Sequence, residues 1–290
     1  MSPQVDVAVL VATRDRPSKL LQRALQSVRN QSRTPCMVIV VNDGQPFETE
    51  IHKRVVGCIE PWECRVIPNC RAAGAAGAWN TGLKLLAEEE FGGFVAFLDD
   101  DDEWDADHLE VNLATAVATN ANVVISGLRH VFDGEPMKRE LVASIEAHDF
   151  LVGNPGWQGS NTFVLLELLR AVGGFREGLQ SLNDRDLAFR ILSDPISQVA
   201  FTGRWTATWY NRSKGTLSSR RSPQKLSGLR WFWSIYGPAM TKAQRQHFFG
   251  RASKLFGFQR AEIINADGDL PPHRQWHGDL HGYCRDKFQA

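Results

Sequence analysis

The chain has no surplus of charge: 33 basic side chains stand against 33 acidic ones in 290 residues. General binders of nucleic acid or other polyanions carry a basic excess, so no nucleic-acid partner is expected. Long hydrophobic runs are missing too. Val5-Asp6-Val7-Ala8-Val9-Leu10-Val11-Ala12 has no basic flank and falls far below the roughly 20 residues of a membrane span. The sequence therefore reads as a soluble, cytoplasmic protein with no membrane span. Cysteine is sparse, at five residues: Cys36, Cys58, Cys64, Cys70 and Cys284. No CxxC pair occurs, and the six-residue spacing of Cys58, Cys64 and Cys70 matches no zinc template, so reduced structural thiols are expected. GxGxxG is absent after the first predicted strand, and GxxxxGK[ST] is absent throughout. A standard dinucleotide fold and a P-loop are both disfavoured. There is no internal repeat and no low-complexity segment.

What is present suffices for a full core, with 43% hydrophobic and 23% charged residues. The length suits one large α/β domain, or a domain of ~200 residues with an appendage. Val5 to Ala12 reads as a buried strand, and Pro17 opens an amphipathic helix to about Asn30 through Leu20, Leu21, Ala24, Leu25 and Val28. Met37 to Val41 is a second strand, Phe47 to Gly57 a polar segment with helical character, and Arg65 to Ile67 a weak third strand. Ala72 to Glu90 is a helix with a glycine-rich start, and Phe94 to Leu98 a further strand. Asp105 is expected to cap a helix to about Thr119, followed by a strand from Asn122 to Ser126. Beyond it lie a loop from Gly153 to Gly159, a strand at Asn161 to Leu166, and a helix at Asp184 to Leu192. Short strands are expected at Val199 to Phe201 and Ala207 to Tyr210. From Ser222, two aromatic-rich helices are expected on either side of Gly237-Pro238.

Alternation of strands and helices implies a parallel sheet covered by helices on both faces, with ligands beyond the carboxyl ends of the strands. Three polar clusters fall there: Thr13 to Arg16, Asn42 to Gly44, and the four consecutive aspartates Asp99 to Asp102. Adjacent carboxylates in a cleft raise one another's pKa unless a cation offsets them. Oxygen-only ligands suit Mg²⁺ or Mn²⁺, which pair a few carboxylates with phosphate oxygens. The competing reading is a solvated acidic turn at a helix start. Leu98 before the run and Trp104 after it anchor it between core elements and favour the metal–diphosphate reading.

With these residues in view, the sequence resembles the family 2 glycosyltransferases of the GT-A fold, over roughly residues 5 to 215. The resemblance rests on Val38-Ile39-Val40-Val41-Asn42-Asp43-Gly44, Asn80-Thr81-Gly82, and Phe97-Leu98-Asp99-Asp100-Asp101-Asp102-Glu103-Trp104. Val172-Gly173-Gly174-Phe175 and Asn183-Asp184-Arg185-Asp186-Leu187, followed by Arg190, complete it. It implies an α/β fold with a mainly parallel mixed sheet over residues 1–220, and a helical extension over 221–290. It implies a metal-dependent, inverting transfer of sugar from a nucleoside-diphosphate sugar, with a uridine nucleotide favoured, to an unknown acceptor hydroxyl. Asp43 would meet the nucleobase, with Thr13, Arg14 and Arg16 against the nucleoside and Asn80 and Asp100 on the donor side. Asp99 would face the ribose, Asp101 would bind the divalent metal, and Asp184 would be the general base. Asn183 and Trp157 would lie on the acceptor side.

The chain departs from the family pattern at three places. Asn183 stands where many relatives carry Glu, so acceptor contacts differ. Trp79 stands where an arginine is common, so a donor contact is lost or a ring stacks there. No histidine follows Tyr210; Arg212 and Lys214 either hold the diphosphate or are solvated surface charge. His273, His277 and His281 would share one helical face suited to a metal, but Gly278 and Gly282 argue against a helix there. The extension either covers the acceptor site or supports a homodimer. Rival readings are a nucleotidyltransferase acting on sugar phosphates and a non-catalytic nucleotide-sugar-binding module. The first needs a glycine-rich basic loop after strand one, which Thr13 to Pro17 lacks; Asp101 and Asp184 together argue against the second. A phosphatase would need a DxD at Asp15, which is absent.

Overall fold

The computed structural model describes residues 5–211 and 219–264. β1 (Val7–Thr13) is the apolar run near the start, and its alternation serves both faces of the sheet. Val7, Val9 and Val11 join one core, while Ala8 and Leu10 join the other. α1 (Pro17–Lys19) passes through a π-helical turn at Leu20–Ala24 into α2 (Leu25–Arg29). Proline suits the first helical position, where its missing N–H costs nothing. β2 (Met37–Asn42), α3 (Thr49–Ile59), β3 (Cys64–Pro68), α4 (Ala75–Glu88) and β4 (Phe94–Asp99) complete the first half. Gly82 lets α4 lie close to the sheet, since a Cβ there would stand 2.9 Å from a Leu10 methyl.

β5 (Glu103–Trp104) and α5 (His108–Thr119) follow the aspartates. Asp105 does not cap α5: its carboxylate forms a paired contact with Arg129 at 2.8 Å, and the helix starts three residues later. Next come β6 (Val123–Phe132), β7 (Glu135–Met137), α6 (Asp149–Val152), β8 (Thr162–Leu165), α7 (Leu166–Ala171) and α8 (Asn183–Ser193). The two short strands expected after residue 199 are one, β9 (Val199–Asn211), whose pairing with β6 shifts register near Gly127. Such a bulge breaks the alternation that a sequence reading depends on.

The strands lie in the order β3-β2-β1-β4-β8-β6-β9-β5, with β7 paired to β6. β3, β2, β1 and β4 are mutually parallel; β8 runs antiparallel to both β4 and β6, and β9 is parallel to β6. The sheet is therefore mixed, with helices on both faces. α9 (Pro223–Tyr236), α10 (Lys242–Arg251) and α11 (Arg260–Ile264) follow. Ser222 caps α9, and Thr241 with Gln244 forms a capping box on α10. These helices build a third core from Trp231, Phe232, Met240, Phe248 and Phe258, closed by Leu151, Leu179 and Leu182 of the preceding segment. No helix among the described residues is long and apolar enough to cross a membrane. Cys36, Cys58 and Cys64 are free thiols, but Cys70 is disulfide-bonded, against the expectation of reduced thiols throughout.

Candidate active site

Parallel register brings the three polar clusters level. Thr13 pairs with Asn42 across β1 and β2, and Ala12 pairs with Asp99 across β1 and β4. Asn42 Oδ1 accepts from the Gly44 N–H at 3.0 Å, an Asx turn that fixes the loop after β2. In that loop Asp43 accepts from Asn69 Nδ2 at 2.6 Å and from the Gly74 N–H at 2.8 Å. Asp43 thus joins the loop after β2 to the start of α4, and the exposed Arg14 approaches it to 3.6 Å.

The four aspartates have two orientations. Asp100 and Asp102 are 0% and 1% exposed and point inward. Asp100 accepts from the buried Thr13 hydroxyl at 2.6 Å and pairs with Arg16 at 2.5 Å. Asp102 accepts from Ser160 Oγ at 2.5 Å and from the Tyr210 N–H at 3.0 Å, joining the end of β4 to β9. Burial pushes both pKa values up. Thr13 and Asp100, expected against the donor, are corrected to inward partners of each other. Asp99 and Asp101 remain partly open. Arg16 and Lys19 reach Asp101 at 2.7 and 2.9 Å, and Arg23 donates to its backbone carbonyl. Arg16 thus bridges Asp100 and Asp101 while its side chain stays exposed.

Asp99 is the odd member. No protein donor meets its carboxylate among the described residues, and its pKa is pushed up to about 7 by burial, then by Asp101 and Asp100, with Asp184 adding to the effect. Gly159 keeps the space beside it clear: a Cβ there would stand 3.5 Å from Oδ2. Asp99 thus presents unpaired oxygens next to open space, and beside it lies the partly open Asp101, whose Oδ2 is held by Arg16 and Lys19. That donor set fits a hard divalent cation completed by phosphate oxygens. It does not form an all-protein cage, since no group of three or more His, Cys, Asp or Glu side chains among the described residues is arranged to hold a metal.

Asp184 lies in the first turn of α8, close enough to Asp99 for its charge to help raise the Asp99 pKa. Oδ1 accepts from the Arg185 N–H at 2.9 Å, and Oδ2 accepts from Asn154 Nδ2 at 2.8 Å. Burial raises its pKa, against the lowering pull of Lys225, the Arg185 N–H bond, the Arg185 charge and the Asn154 bond. Leu182, two residues before Asp184 and at the N-cap of α8, takes φ of 71°, a costly conformation for a bulky side chain. Asn183 Oδ1 is buried and finds no hydrogen-bond partner among the described residues. Asp186, only two residues on, is structural: Arg176, Arg190 and the Tyr236 hydroxyl all bond it.

Three further expectations change. Asn80 is 0% exposed and bonds the Phe175 backbone and Glu177, so it pins α4 to the segment before α8 and does not face a donor. Trp79 packs edge-on to Phe97 and stacks on Phe175 within the core. Trp157 is 1% exposed, donates to Thr162 Oγ1 at 2.6 Å and packs on Phe150, so no ring face is left for an acceptor. Arg212, Lys214, His273, His277 and His281 lie outside the described residues. Sequence reasoning missed Asn154, Ser160, Lys19 and Lys225. Asn154 and Ser160 sit in a loop rich in turn residues, which marks a loop but not its partners.

A family model described as Glycosyl transferase family 2 matches residues 8–166, a span holding both the strand-end clusters and the aspartates. The chain belongs to glycosyl transferase family 2. This family 2 chain is 37% identical over 94 residues to the succinoglycan biosynthesis protein ExoW of Rhizobium meliloti (strain 1021), covering 31% of the chain and 27% of that protein. Its fold matches the crystal structure of S. aureus TarS with a TM-score of 0.57 at 18% identity, covering 91% of this chain and 46% of TarS. For TarS 1-349 in complex with UDP-GlcNAc the TM-score is 0.61 at 17% identity, over 91% of this chain and 76% of that one. The chain thus spans about a quarter of ExoW and less than half of the longer TarS chain.

Proposed function

We propose that this chain transfers a sugar from a nucleoside-diphosphate sugar to an acceptor hydroxyl, with inversion at the anomeric carbon. The observation that supports this reading is that Asp99, at the end of β4, and Asp184, in the first turn of α8, lie within electrostatic reach, so that the charge of Asp184 helps to raise the Asp99 pKa. Family membership and the UDP-GlcNAc complex of a structural relative support a uridine nucleotide as the donor's leaving group. In this reading the loops held by Asp43 receive the nucleobase, with Arg14 at their exposed edge. Asp99 faces the ribose, and Asp99 with Asp101 would hold Mn²⁺ or Mg²⁺. When bound, such a cation offsets charge gathering on the departing diphosphate.

Asp184 then acts as general base. Asn154 and the Arg185 N–H fix its two oxygens, and burial raises its basicity. It accepts the proton of the acceptor hydroxyl as that oxygen bonds to the anomeric carbon. The bond from that carbon to the diphosphate oxygen breaks on the opposite face, and its electron pair leaves with the nucleoside diphosphate. Calorimetry of UDP binding with Mn²⁺ tests the donor side. Asp101→Ala, or chelation of the metal, is expected to remove most of the affinity; unchanged binding in both cases would overturn the assignment.

A further inference from the structure

Asp184 is neighboured by charge that the transfer chemistry does not use. Asn154, which bonds Asp184 Oδ2, also lines a cavity of about 260 Å³ together with Leu128, Arg139, Val142 and Gly156, with Glu140 at the exposed rim. Arg251 of α10 borders the same loop, with Nε 3.6 Å from where a Cβ on Gly153 would stand. Lys225 of α9 is 5% exposed, and its ammonium lies over the Phe256 ring at 4.9 Å. Arg185 is also 5% exposed and spends its donors on the Phe150 carbonyl, beneath Phe232.

Among the described residues, no ion pair or hydrogen bond satisfies the charged ends of Arg139, Lys225 or Arg251. Arg251 works against Arg139, and both Arg185 and Arg251 work against Lys225. Asp184 is the single anion that acts on Lys225, lying within its electrostatic reach. A lysine buried this deeply costs far more than a surface one, and such perturbed groups cluster at functional sites. Arg139 in the lining, Arg251 beside the loop at Gly153 and Lys225 next to Asp184 outnumber the one lining carboxylate, Glu140, and suit a group of two negative charges, which a phosphate monoester carries near neutral pH.

We propose that this cavity and the cations beside it receive a phosphoryl group carried by the acceptor, seating the acceptor's hydroxyl at Asp184. The inference rests on the reading of Asp184 as the transfer base and adds the acceptor's chemical class to it. Arg139 and Arg251 grip the phosphoryl oxygens from the loop side and from α10, and Lys225 supplies charge from below. A neutral sugar leaves the same cations unpaired and is a poor occupant.

The test uses the full chain saturated with UDP and Mn²⁺, so that the donor site is filled. Glycerol 3-phosphate is titrated in by calorimetry, with glycerol as the neutral control. In parallel, phosphatidylcholine vesicles with and without phosphatidic acid are sedimented with the protein. Binding of the phosphomonoester, soluble or in the vesicle, is expected, weakened about tenfold or more by Arg139→Gln and by Arg251→Gln. The vesicle arm distinguishes a lipid phosphate from a soluble one. UDP affinity and the unfolding midpoint should remain as in the wild type, which separates a lost ligand contact from a lost fold. No binding in either arm, binding indifferent to both substitutions, or binding abolished by UDP would overturn the proposal. If the wild type fails to bind UDP at all, it is the donor reading that falls, and phosphate binding is then judged without the nucleotide.

Discussion

Lys225→Met removes a buried cation that acts on Asp184. Burial is the main cause of its lowered pKa, which falls from the ordinary 10.5 to about 8 despite the attraction of Asp184. At about 1.4 kcal/mol per pH unit, that difference makes the charged lysine cost the fold about 3 kcal/mol near pH 7. The unfolded chain holds the proton up to a higher pH than the folded one does. Stability of the wild type therefore rises as pH climbs from about 8 towards 10.5. Methionine keeps most of the stem's contact with Phe256 and carries no charge, so the variant lacks this rise. Urea unfolding is expected to show Lys225→Met as the more stable protein at about pH 7, with the gap closing by about 2 kcal/mol by about pH 9.5. A gap that stays constant across this range, or a variant less stable at both pH values, would refute the view that Lys225 is a charge held at a cost.

Asn80→Ala should lower stability by about 2–3 kcal/mol, because it strands the buried Phe175 backbone groups and Glu177. UDP affinity should hold in calorimetry; a lost affinity with unchanged stability would return Asn80 to the donor site. His108, fully buried, is pushed down to about 3 by burial and stays neutral in the fold. The unfolded chain takes up that proton near pH 6.5, so stability falls by about 1.4 kcal/mol per pH unit as the solution is acidified below it. His108→Phe should flatten the acid limb of stability against pH, as read by urea midpoints, and an unaltered slope would contradict the assignment.

The parallel core of the fold was legible because β1, β2 and β4 are short, almost continuous runs of buried apolar residues between turn signals. The level placement of Thr13, Asn42 and Asp99 follows from their position at strand ends. The place of Asp184 in the first turn of a helix was legible from its surroundings in the sequence. Which of four adjacent aspartates would face the cleft was not, because Asp100 and Asp102 are turned inward by Thr13, Ser160 and the Tyr210 N–H, all distant in sequence. Trp157 and Asn80 failed for the same reason: a polar or aromatic residue near a site reads alike whether it faces the ligand or pins the wall behind it. The bulge in β9 broke its pattern into two apparent strands. Lys225 and Arg251 come from helices with their own core, and no local signal ties those helices to the first turn of α8.

The role of Asp184 is tested most directly by Asp184→Asn. The substitution keeps the size and much of the hydrogen bonding of the side chain while removing the base. Single-turnover transfer from a UDP-sugar, with UDP affinity measured on the same preparation, is the deciding measurement. The account predicts UDP affinity within a few-fold of the wild type and transfer slowed about 10²–10⁴-fold. It also predicts that wild-type transfer fails, as the solution is acidified, at a pH above the ordinary carboxylate range, because burial raises the pKa of Asp184. Transfer by Asp184→Asn at the wild-type rate would contradict it.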